Sequence, residues 1–132
     1  ISEMNSLYID KETYTPFIHF NTTNNHFQIS GESSSEDSNN FYNPVLTWLD
    51  SYLANDRRSI KFDIYISYYN THSSQVVFQI LDKMNLHALK NHVLVEVNWH
   101  VGVLDVDMKE DGEDFKEDFT DVKFNILEIQ EA

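Results

Sequence analysis

The sequence predicts a single α/β domain: a mixed sheet of about five strands, in the order β-β-α-β-α-β-α-β, with helices packed against it. Three observations carry this. Stretches with an apolar side chain at every second position alternate with stretches whose apolar residues recur at i, i+3 and i+4. The first two strand-like stretches face each other across a short polar turn. Later strands are separated by helices of the length a right-handed parallel crossover requires. The 132 residues are too few for two cores, and 41% hydrophobic with 14% aromatic content is enough to build one.

Element by element, Phe17 to Phe20 and His26 to Ser30 alternate on either side of the turn Asn21 to Asn25, a hairpin signal. Gly31 leads into Glu32 to Ser38, charged and serine-rich, which reads as an exposed, mobile loop. Val45, Trp48, Leu49, Tyr52 and Leu53 form the stripe of an amphipathic helix, with Pro44 in its first turn. Ile60 to Tyr68 alternates strictly and reads as a central strand. A second helix carries Val77, Ile80, Leu81, Met84 and Ala88, and Val93 to Trp99 follows as a strand. A short helical segment with Phe115 and Phe119 precedes a last strand, Val122 to Ile129. Ile1 to Glu3, ahead of Met4, read as a remnant of expression, which leaves 4–132 as the domain.

Charge and composition exclude several classes of function. Nine basic against 22 acidic residues give a formal charge of -13, which disfavours nucleic acid and anionic membrane as partners. No stretch approaches the roughly 20 apolar residues of a membrane span, and the start lacks a signal-peptide core. With no cysteine, disulfides, thiolate metal sites and cysteine nucleophiles are excluded, and a cytoplasmic setting is expected. Gly31, Gly102 and Gly112 are too far apart for a Walker loop or a dinucleotide fingerprint, and no hydrolase motif is present. Nucleotide-cradling enzymes and motif-bearing hydrolases are thereby excluded; no catalytic residue, cofactor or metal is expected, and a metal-dependent enzyme around His100 stays open as a third class.

Three constellations remain. His100 with Asp105 and Asp107 offers one nitrogen and two oxygens, but a flexible loop fixes no ligand geometry, so a solvated strand end is the better reading. Asp107 to Asp118 superficially tracks a calcium loop, yet Lys109 and Phe115 occupy ligand positions and no bidentate glutamate closes it. Asp105 to Asp121 holds nine acids against Lys109 and Lys116, either a solvated face or a dock for a basic partner.

The most informative segment is Tyr69-Asn70-Thr71-His72-Ser73-Ser74, where a strand feeds a helix N-terminus. One of these short polar side chains should cap the free N–H groups, and a capping Thr71 would cost about 0.5–2 kcal/mol to remove. Alternatively Thr71 carries a phosphate, since about -1.5 to -2 charges are tolerated at that end of a helix. On so acidic a domain the added charge would act on a partner instead of on the fold.

At these residues the chain resembles the SiaC family of bacterial regulatory phosphoproteins. The matching stretches are Met4 to Ile9, Tyr14-Thr-Pro16, Gly31-Glu-Ser33, Pro44-Val-Leu-x-Trp-Leu49 with Tyr52-Leu53, Tyr69-Asn-Thr-x-Ser-Ser74, Val97-x-Trp99, Gly112-Glu-Asp-Phe115 and Ile126 to Ile129. His72 and Gln75 stand where relatives more often have Ser and Lys. The resemblance implies a non-enzymatic switch similar in fold to anti-sigma-factor antagonists of the STAS type. It implies phosphorylation at Thr71, within a switch loop of Tyr69, Asn70, His72, Ser73 and Ser74. The implied partners are a HATPase-type serine/threonine protein kinase, a PP2C-like phosphatase and an effector such as a GGDEF diguanylate cyclase, with cyclic di-GMP and biofilm growth as the output. Beside it stands a constitutive interaction module that uses the acidic surface, with Thr71 only a helix cap.

Overall fold

A computed structural model describes residues 4–130; Ile1 to Glu3, set aside above, lie outside the described residues. Six strands form one mixed sheet in sequence order: β1 (Leu7–Ile9), β2 (Phe17–Asn21), β3 (His26–Ser33), β4 (Ile60–Tyr69), β5 (Val95–Gly102) and β6 (Lys123–Ile129). Helices α1 (Ser38–Asn55), α2 (Thr71–Asn91) and α3 (Val106–Asp118) join the last four strands. The first three strands pair antiparallel and the last four parallel, so the sheet is mixed as expected. The strand that sequence periodicity passed over is β1, three residues on the edge, too short to show an alternation.

All three helices cover one face. Pairing sets Phe27 beside Phe62 and Ile64 beside Trp99, so these four share a face. Tyr52 of α1 lies against Phe27, ring centroids 5.8 Å apart, and Phe115 of α3 against Trp99 at 5.3 Å. The core therefore sits between this face and the helices, with Phe20, Phe27, Phe62, Val97, Trp99, Tyr52, Leu81 and Met84 fully buried.

β5 starts at Val95, two residues later than expected, and two further boundaries differ. The segment Glu32 to Ser38 is not all loop: Glu32 and Ser33 continue β3 past a bulge at Gly31, whose φ of +108° suits glycine. Ser33 is buried, its hydroxyl 2.7 Å from that of Tyr42, and burial pushes the Tyr42 phenol up to about 12. Helix α1 accordingly starts at Ser38, which places Pro44 in its interior and not in its first turn. Pro44 is exposed, so water reaches the carbonyl that its missing N–H leaves free.

The helix-free face carries a polar seam across the parallel strands. Buried Asp63 on β4 accepts from Nε2 of His26 on β3 at 2.5 Å, from Nε2 of His100 on β5 at 2.8 Å and from Nδ2 of Asn98 at 3.1 Å. Asn125 on β6 donates to Asn98 Oδ1 at 2.9 Å. Burial pushes the Asp63 carboxyl up, but the bonds from His100, His26 and Asn98 outweigh it and hold the group below its ordinary value. A depressed carboxylate stabilises the fold fully above its unfolded pKa of about 4, and that stability is lost as pH falls through the folded value. Urea midpoints should thus drop below about pH 4, and Asp63→Asn should flatten this acid limb. An unchanged limb in Asp63→Asn would assign it to the other depressed carboxyl, Asp56.

Candidate functional site

The site lies at the carboxyl ends of the parallel strands, where β4 turns into α2 and β5 into α3. Open α/β sheets place their binding surfaces at this end, because the loops there are free to vary over a rigid scaffold.

Asn70 leaves β4 with its N–H bonded to Ser33 O at 3.1 Å and its side-chain Nδ2 to Ser35 O at 3.3 Å, which fixes the turn against the end of β3. Its Oδ1 accepts from Ser73 N at 2.8 Å, so Asn70 is the N-cap of α2. This corrects the reading of Thr71 as only a cap: Thr71 is the first helical residue, exposed, with its hydroxyl outside the capping bond. Ser74 Oγ donates to Thr71 O at 2.7 Å and secures that first turn. His72 Nε2 meets Asn39 Oδ1 of α1 at 2.8 Å, and both residues are exposed. Ser73 is fully buried and its Oγ finds no partner among the described residues, so it faces the fold and not a partner.

Tyr69 connects this turn to α3. Its hydroxyl donates to Asp111 Oδ2 at 2.8 Å, and its ring stands 6.5 Å from that of Trp99. Burial, then the bond and charge of Asp111, push the phenol far above its ordinary value, so it stays a donor at any working pH. Between α2 and α3 runs a groove of about 470 Å³ lined by Tyr69, Gln75, Phe78, Asp111, Asp114 and Phe115. Phe78 is exposed although its ring packs 5.0 Å from Phe119.

Exposed apolar residues gather at the same end. Leu104 is 78% and Val106 63% exposed in the turn from β5 into α3, and Tyr68 is 55% exposed at the end of β4. Sequence reading did not single these out, although Val103, Leu104 and Val106 are apolar residues lying beyond the last position of a strand. The same turn dissolves the His100, Asp105 and Asp107 constellation. His100 points to Asp63 and stacks on Tyr65 at 4.0 Å, whereas Asp105 caps α3 by accepting from Met108 N at 3.2 Å.

An exposed threonine at a helix start capped by its neighbour can accept a modification without disturbing the core. No helix among the described residues is long and apolar enough to cross a membrane.

Comparison with known proteins gives a family and a fold. Residues 9–129 match the model of a family described as SiaC family regulatory phosphoprotein. An uncharacterized protein of Pseudomonas aeruginosa (strain UCBPP-PA14) is 28% identical over 115 residues, 87% of this chain and 90% of its own. The crystal structure of apo-SiaC from Pseudomonas aeruginosa superposes with a TM-score of 0.81 at 26% identity, covering 95% of this chain and 98% of that one. A chain in the crystal structure of the diguanylate cyclase SiaD in complex with its activator SiaC, from the same organism, gives 0.82 at 25% identity, covering 95% and 99%. With the family matched over nearly its whole length, the chain belongs to the SiaC family of regulatory phosphoproteins.

Proposed function

We propose that this chain is a non-enzymatic cytoplasmic adaptor that binds and regulates a GGDEF diguanylate cyclase, and that reversible phosphorylation of Thr71 switches the binding off. The observation that carries the reading is the exposed Thr71 side chain at the first position of the 21-residue helix α2, with Asn70 satisfying the helix end in its place. A HATPase-type serine/threonine kinase adds the phosphate and a PP2C-like phosphatase removes it. A solved relative is described as the activator of the cyclase SiaD, which supports an effector of that class.

The division of labour between Asn70 and Thr71 makes the switch separable from stability. A phosphate at Thr71 leaves the cap intact and gains from the positive end of α2. Its cost falls on a partner that would have to bury a hydrated dianion at the contact. That penalty of about 2 kcal/mol or more corresponds to about thirty-fold in Kd.

The test is cyclase binding and activation by four purified forms: unmodified, phosphorylated at Thr71 by the kinase, Thr71→Glu and Thr71→Ala. The phosphorylated form and Thr71→Glu should bind at least about ten-fold more weakly, while Thr71→Ala binds like the unmodified chain and resists the kinase. Thr71→Ala should also melt like wild type, whereas Asn70→Ala should lose about 1 kcal/mol. Equal activation by all four forms would overturn the switch.

A further inference from the structure

We propose that the groove between α2 and α3 is where the effector docks, and that it takes a segment with an apolar side chain flanked by lysine or arginine. This rests on the effector-binding reading above and adds the chemistry of the partner.

The basic residues of α3 are confined to one side of the helix. Asp107, Asp111, Asp114 and Asp118 are spaced i, i+4, i+7 and i+11, so they form one stripe along the helix. Of these, Asp111 and Asp114 line the groove toward α2, and no lysine or arginine lines it. The two lysines of α3 lie on the other side, in a cleft of mixed charge that also holds Glu113, Glu117 and Glu128, where Lys109 pairs with Glu128 of β6 at 2.7 Å. The carboxylates beside the groove have no basic residue among its lining and are left for an external cation.

The groove floor is apolar where the rim is acidic. Phe78 and Phe115 stand 6.5 Å apart with Tyr69 at one end, and Phe78 keeps 42% of its surface exposed. Room of about 470 Å³ exceeds one large side chain, and an apolar side chain laid over the two rings would cover Phe78. The groove also leads to Thr71. On α2, Thr71, Ser74, Gln75 and Phe78 fall at i, i+3, i+4 and i+7, so the phosphorylatable hydroxyl stands on the stripe that forms one groove wall. A segment in the groove that continues along this stripe to the start of α2 covers Thr71, and its basic groups lie against Asp111 and Asp114. The phosphate then blocks that end of the contact by its bulk and hydration.

The test uses the whole chain, labelled with nitrogen-15, and three synthetic peptides: one mixing leucine and lysine, one mixing serine and lysine, one mixing leucine and glutamate. The leucine–lysine peptide should shift the amides of 74–79 and 111–115 and bind at least about ten-fold tighter than either other peptide. Phe78→Ser and Asp114→Lys, both at exposed positions, should each weaken it about ten-fold, and Leu86→Ser, on the α1 side of α2, should not. Equal binding of the serine–lysine peptide, or shifts outside the groove, would overturn the proposal. The same variants belong in the cyclase assay. If Thr71→Glu abolishes binding while Phe78→Ser and Asp114→Lys bind normally, the groove falls and the switch stands. If the groove variants abolish binding and Thr71→Glu does not, the groove stands and the switch falls.

Discussion

Asn25→Ala is expected to lower the unfolding free energy by about 3 kcal/mol, although it removes one small polar side chain from a surface hairpin. Asn25 is 2% exposed and sits at φ +54°, the left-handed region that asparagine tolerates and alanine enters at a cost of about 1 kcal/mol. Its Nδ2 donates to Asp56 Oδ1 at 3.1 Å, to Ser59 O at 3.2 Å and to Arg58 O at 3.3 Å. Its Oδ1 accepts from the Tyr52 hydroxyl and from Arg58 Nη2. One side chain thus ties the hairpin to the end of α1 and the start of β4, and alanine would leave the buried Asp56 and Tyr52 short of a partner. Each such group left unsatisfied costs about 1–3 kcal/mol. Asn25→Gly should restore only the backbone share, about 1 kcal/mol. Urea midpoints at an unchanged m-value measure both; a loss below about 1 kcal/mol in Asn25→Ala would mean that water replaces the network.

That network shows where the sequence stops being readable. The turn Asn21 to Asn25 was visible because polar residues separate two alternating stretches. The job of Asn25 was not, since Asp56 lies 31 residues away and only the folded chain brings them together. The same holds for His26 with Asp63, and for Tyr69 with Asp111. Periodicity reports which face a side chain takes, not which polar group it meets there. It also misses what burial alone decides. Ser38 to Asn43 holds poor helix formers, yet it is helical because Ser38 and Tyr42 are buried beneath it. The start of α2 was legible for the opposite reason: a capped helix start is a local feature, and hydroxyl and amide residues crowd into it. What local reading left open was which side chain caps, and the structure gives that role to Asn70.

Gly112→Ala should be as damaging as Asn25→Ala, and for function more so. Within a helix alanine is normally favoured over glycine by about 1 kcal/mol. Here a Cβ at position 112 would stand 2.4 Å from Trp99 Cδ1 and 2.6 Å from its Nε1. Trp99 is 2% exposed and its Nε1 donates to Met108 O at 2.9 Å, one turn earlier on α3, so the indole has nowhere to go. Helix α3 must lift from β5, with an expected loss of about 3 kcal/mol from overpacking and the broken indole bond. Unlike the Asn25 network, which lies at the far end of the parallel strands, this shift reaches the candidate site. Asp111 and Phe115 flank Gly112 on the same helix and line the groove with Tyr69. Two variants of similar instability should therefore separate at low temperature, where both remain folded. Asn25→Ala should still bind the effector, while Gly112→Ala should lose binding and show a red-shifted tryptophan emission. Equal binding by both would mean that effector recognition does not depend on how α3 is seated against Trp99.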